Sequence, residues 1–91
     1  MKNIWESAET MAIYAQIDLN YYFIEHLQKE LSKPRTNLEN IIDDATGYGK
    51  ERIKKMKDEA ISLISEIIEC KKKIEAPIER DVEFLNGLKQ L

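Results

Sequence analysis

Apolar residues recur along most of this chain in alternating steps of three and four. Between Lys50 and Glu75 the positions Ile53, Met56, Ala60, Leu63, Ile64, Ile67, Cys70 and Ile74 keep that rhythm, which places them on one stripe of a single α-helix. Neither proline nor glycine interrupts the segment. At 1.5 Å of rise per residue, a helix over 50–75 would be roughly 39 Å long, so its stripe needs an equally long partner. The N-terminal segment supplies one.

A first helix is expected over about 4–32. Asn3 and Glu6 stand in capping-box relation at its start, and Pro34 disfavours helical backbone at Lys33, which ends it. This helix carries two stripes. Trp5, Ala8, Ala12, Ala15, Leu19 and Tyr22 form one, extended by His26; Ile13, Ile17, Ile24, Leu27 and Leu31 form the other, which passes through Asn20. Two stripes predict two neighbours. Asn20 either sits in the seam, where a polar residue fixes register, or lies at the seam's edge beside solvent. The cluster Tyr21, Tyr22, Phe23 covers more of the circumference than one packed face uses, which suits a core or a contact with a second chain.

A short helix is expected over about 37–45, with Thr36 and Glu39 as its capping box and Leu38, Ile41 and Ile42 as its apolar side. Gly47 and Gly49 then supply positive backbone angles for a corner, after which the long helix over about 50–75 begins. Lys71, Lys72 and Lys73 suit that helix's negative end. Beyond Pro77, the residues Ile78, Val82, Leu85, Leu88 and Leu91 keep a helical period over about 77–90, with Gly87 weakening the last turns. A kinked continuous helix and two separate helices both fit this stretch. The whole chain, 1–91, reads as one all-α domain. Its architecture is a long antiparallel helical hairpin, a coiled-coil-like bundle of three to four helices completed by dimerisation.

Composition adds limits. Ninety-one residues make a small core, so regular helix packing or self-association is expected. A formal net charge of -3 argues against a protein whose main business is neutralising phosphates. Cys70 is the only cysteine, which rules out an intrachain disulfide and the multi-cysteine zinc patterns, and suggests a reducing compartment. No apolar run approaches the roughly 18 residues that cross a bilayer, and the N-terminus lacks a signal peptide's apolar core. The expectation is a soluble protein of the cytoplasm that starts at Met1 and engages no membrane.

Candidate chemistry is sparse. A carboxylate-bridged metal site in a bundle needs Glu-x-x-His, but Phe23 stands three residues before His26; Glu66, Glu69 and Cys70 can be imagined as ligands, yet Glu66 and Glu69 fall beside the seam like ordinary flanking charges. A Walker loop needs glycine where Asp44 stands. Gly47-Tyr48-Gly49 with Lys50 resembles an anion-binding helix start but reads more simply as a turn. No nucleophile has a base beside it, so neither catalysis nor a cofactor is expected. Lys50, Arg52, Lys54 and Lys57 make a basic stretch that could touch nucleic acid or an acidic partner, although the nearby Glu39, Asp43 and Asp44 could pair with it. Nucleic acid is a weak candidate.

With the helices laid out, Tyr14 to Leu31 and Arg52 to Glu79 resemble a phage-encoded family of uncharacterised function whose members are similar to late-gene transcription regulators. Ile17, Asp18, Ile24 and Leu27 match its N-terminal seam. Arg52, Met56, Asp58, Leu63, Glu66, Ile67, Ile74 and Ile78 match the pattern after its corner. The resemblance implies a phage or prophage protein in the host cytoplasm. Family members continue into a helix-turn-helix that binds DNA; this sequence lacks that element, so the DNA role is carried to no residue here. The expected function is therefore protein–protein interaction. Trp5, Tyr21, Tyr22 and Phe23 are the expected anchors, and the chain is expected to form a homodimer. The alternative is a phage-encoded inhibitor that occupies a host enzyme or defence complex through its acidic face.

Overall fold

A computed structural model describes residues 4–91, and their side chains from residue 8 onward. The described residues form four α-helices and no strand: α1 Ile4–Ser32, α2 Asn37–Thr46, α3 Tyr48–Lys73 and α4 Glu79–Lys89. The all-α expectation holds. Asn3 lies outside the described residues, as does the Glu6 side chain, so the N-terminal capping box is not among the observed caps.

α3 is the central element, and α1, α2 and α4 each pack against it. α1 runs antiparallel to it, so that Asn20 lies beside Leu63 while Leu31 lies beside Ile53 and Met56. Ile17 and Ile24 from α1 meet Ile64, Ile67 and Ile68 from α3 in the buried core. Fully burying one such side chain stabilises the fold by about 1.5–3 kcal/mol. α4 lays Val82, Phe84, Leu85 and Leu88 against the same cluster.

Asn20 is 2% exposed, which settles its two readings in favour of the seam. Its Nδ2 donates to the Leu63 carbonyl at 3.4 Å, and its Oδ1 accepts from Gln16 Nε2 at 2.8 Å. A buried amide satisfied only at this register penalises a slid hairpin.

Three of the expected bounds shift by two residues, and the ends of α2 and α4 by one. The Thr36 capping box forms as expected, with both reciprocal bonds present. α3 begins at Tyr48 and not Lys50, because Gly47 alone makes the corner: it takes φ 75° and serves as C-cap of α2 and N-cap of α3. Gly49 is already helical, so its part is not a positive angle. It is close approach: a Cβ there would lie 2.9 Å from Asp43 Cβ.

α3 ends at Lys73 and not Glu75. Glu75 adopts φ 56°, its amide donates to the Lys72 carbonyl, and the Ala76 amide donates to the Lys71 carbonyl at 2.9 Å. These bonds form a Schellman turn with glutamate in the position that usually takes glycine. Pro77 follows, so the two-helix reading replaces the kink. α4 starts at Glu79 and not at 77, after Ile78 as N-cap.

The molecule measures 62 × 22 × 17 Å, with a radius of gyration of 17.3 Å. A compact chain of this length would have about 12 Å.

Candidate protein interface

The seam stripe of α1 is covered from Ile13 to Leu27, and the described residues of its other stripe are not. Met11, Leu19 and Tyr22 are exposed on the side of α1 away from α3, as are Ala8, Ala12 and Ala15 along it. Among the described residues, no helix supplies the expected second neighbour for this stripe. The core of this small bundle is already filled by the isoleucine stripe, and α4 docks beside Tyr21 and Ile24 instead.

The three clustered aromatics divide. Tyr22 is 63% exposed and Phe23 is 45% exposed, their rings meeting edge to face at 5.9 Å between centroids. Phe23 also borders a groove of about 410 Å3 between α1 and α3, with His26, Leu27, Glu59, Ser62 and Leu63. Tyr21 points elsewhere. Its hydroxyl donates to Asp81 Oδ1, so Tyr21 is tied within the chain and its polar end is not free for a partner. The Trp5 side chain lies outside the described residues.

The tie of Tyr21 belongs to a part-buried cluster that the residue pattern did not reveal. Lys71 Nζ donates to Tyr21 Oη and to Asp81 Oδ2, each at 2.7 Å, and sits 5.2 Å from the Tyr21 ring centre. Asp81, in the first turn of α4, is 5% exposed. Burial, and then the bond to the Asp81 carboxylate, raise the Tyr21 pKa above its ordinary value. For Lys71, burial opposes the charge, but the bonds to Asp81 and Tyr21 outweigh it, so its pKa is raised. Each polar group here is satisfied by another from a different helix. The cluster is a clasp joining α1, α3 and α4. The only signals in the sequence were a lysine near one helix end and an aspartate near another helix start, and ordinary surface charges look the same.

The basic stretch is split as well. Lys50 and Lys54 are exposed, while Lys57 is half-buried and donates to the Leu91 carbonyl at 2.7 Å. Arg52 is half-buried, and its Nε is enclosed without a hydrogen-bond acceptor. The acidic residues of α2 do not neutralise this stretch. Asp43 pairs with Arg35 at 2.7 Å, and among the described residues Lys50 and Lys54 have no carboxylate within 4.0 Å. A cleft of about 420 Å3 at the corner mixes Arg35, Lys50 and Arg52 with Asp43 and Asp44.

α2 presents a second uncovered apolar surface. It is amphipathic, yet none of its residues is buried, and Leu38, Ile41 and Ile42 are all exposed. Among the described residues no three His, Cys, Asp or Glu side chains are grouped to hold a metal ion, and no helix is long and apolar enough to cross a membrane. Comparison with protein-family models, with curated proteins and with solved structures finds no match for the chain.

Proposed function

We propose that this chain is a small phage-type protein–protein interaction module that acts by binding and not by catalysis, and that it forms a homodimer. One observation carries the reading. The accessible surface is 7357 Å2, against about 5,500 Å2 expected for a compact monomer of this mass, and Met11, Leu19, Tyr22, Leu38 and Ile41 are among the large apolar side chains exposed on it. The outward aromatic and aliphatic side chains of α1, Met11, Leu19, Tyr22 and Phe23, suit the apolar stripe of a partner helix. A standard protein interface takes about 800 Å2 from each partner, less than the excess, so the rod has surface for a second copy and for another protein.

A reading from another class, an inhibitor that occupies a host enzyme, is favoured by Asp18 and Glu25, which are exposed on one edge of α1, Glu25 also reaching Lys29 at 3.6 Å. Such a face suits a basic partner and gives binding that weakens as salt rises. Sedimentation velocity over a dilution series tests the first reading. A concentration-dependent shift toward twice 10.7 kDa is expected. A single species of 10.7 kDa at every concentration would refute the homodimer.

A further inference from the structure

α2 is an amphipathic helix mounted the wrong way round for a lone chain. Asp43 faces inward, paired with Arg35 at 2.7 Å and packed beneath Gly49, so the polar side lies against α3. Leu38, Ile41 and Ile42 share the opposite side and are between 49% and 67% exposed. The helix is nevertheless firmly defined, with a complete capping box at Thr36 and a left-handed cap at Gly47. Ten residues are too few to hold a helix in water by propensity, so its apolar stripe needs cover.

The end of the bundle offers an uncovered apolar groove of about 140 Å3 between α1, α3 and α4. Leu31, Ile53, Met56 and Leu88 line it, and Leu31 and Ile53 are left exposed. A chain cannot fill its own groove with its own stripe while the Arg35–Asp43 pair and the short link through Pro34 keep the polar side of α2 on α3.

Charge selects the occupant. α2 carries Glu39, Asp43 and Asp44 and no basic residue, with Glu39 and Asp44 on opposite edges of the stripe, so two α2 helices laid face to face would repel. On α3, Lys57, held by the Leu91 carbonyl, lines the groove, and Lys50 stands one turn before Ile53 on the same edge, exposed and with no carboxylate within 4.0 Å among the described residues. Every copy therefore holds an acidic-edged apolar helix and a basic-edged apolar groove. A two-fold exchange matches both at once and closes the assembly.

We infer that α2 is the self-association element of this protein: its Leu38, Ile41 and Ile42 stripe docks into the Leu31 and Ile53 groove of a second copy, which docks its own α2 in return. This rests on the homodimer reading above and names its seam. Leu38 and Ile41 project from the fold, so Ile41→Glu should keep the helical circular dichroism of the parent while raising the dimer dissociation constant at least 30-fold in sedimentation equilibrium. Ile53→Glu should do the same from the groove side. Mixing the two variants should restore a heterodimer, because one intact stripe then meets one intact groove. Lys50→Glu should weaken the dimer, and adding Glu39→Lys in the same chain should recover it. A parent chain that dimerises with unchanged affinity after Ile41→Glu would overturn this seam and leave the homodimer standing. Failure of the mixed variants to associate would overturn the stripe-in-groove exchange. A parent chain monomeric throughout would overturn both.

Discussion

Replacing Asp81 by alanine tests whether the clasp holds α4 in place. The carboxylate accepts from Tyr21 and from Lys71, the latter at 2.7 Å, and its side chain is 6% exposed. Without it, an ammonium whose side chain is only 20% exposed loses its anion, and a phenol loses its acceptor. Breaking one half of a fully buried ion pair costs about 3–5 kcal/mol, and Lys71 can relieve part of that by turning toward water, which puts the expected loss at about 2–3 kcal/mol. Asp81→Asn keeps an acceptor and should lose roughly half as much. Lys71→Met combined with Asp81→Leu removes both charges and should fall within about 1 kcal/mol of the parent. Urea unfolding at fixed protein concentration measures all three, and hydrogen exchange should show α4 deprotected first in Asp81→Ala. A single Asp81→Ala loss below about 0.5 kcal/mol, or a double variant no better than the single, would refute this account of the clasp.

Other perturbations have equally definite outcomes. Glu75→Gly relieves a left-handed residue in the turn after α3 and should stabilise the fold by about 0.5–1 kcal/mol in the same unfolding assay. Gly49→Ala places a methyl 2.9 Å from Asp43 Cβ, so it should destabilise by about 1–2 kcal/mol and disturb the α2 end of the rod in NMR amide shifts. Asn20→Leu should raise the thermal midpoint while broadening seam resonances, because the amide that fixes register is gone. Stability should be level through neutral pH and decline at alkaline pH. Tyr21 and Lys71 both have raised pKa values in the folded chain, so their contribution is complete below the ordinary values of 10.0 and 10.5 and is lost as pH climbs through the folded ones. A pH series of urea midpoints checks the sign.

Much of the fold was legible from spacing alone. Ile17, Ile24, Ile64 and Ile67 declare the seam by their helical period, and Thr36 with Glu39 declares a helix start by local hydrogen-bonding chemistry. Such signals lie within a few residues of one another. The clasp was not legible, because Tyr21, Lys71 and Asp81 meet only through the way three helices cross, 50 and 60 residues apart in sequence from the tyrosine. Nor was the inversion of α2. Its residues announce an apolar side, but not which way that side faces; the pairing of Asp43 with Arg35 and its approach to Gly49 decide that. The spacing of the exposed α1 stripe marks it as apolar, yet no helix among the described residues covers it, since periodicity marks a face in need of cover without saying whose.

Small-angle X-ray scattering with calibrated forward intensity tests most directly the claim that this is an elongated rod whose spare apolar surface serves association. The account predicts a particle of twice 10.7 kDa with a radius of gyration above the 17.3 Å of the single chain, dissociating on dilution. A 10.7 kDa particle with the radius of about 12 Å expected of a compact globule would contradict it.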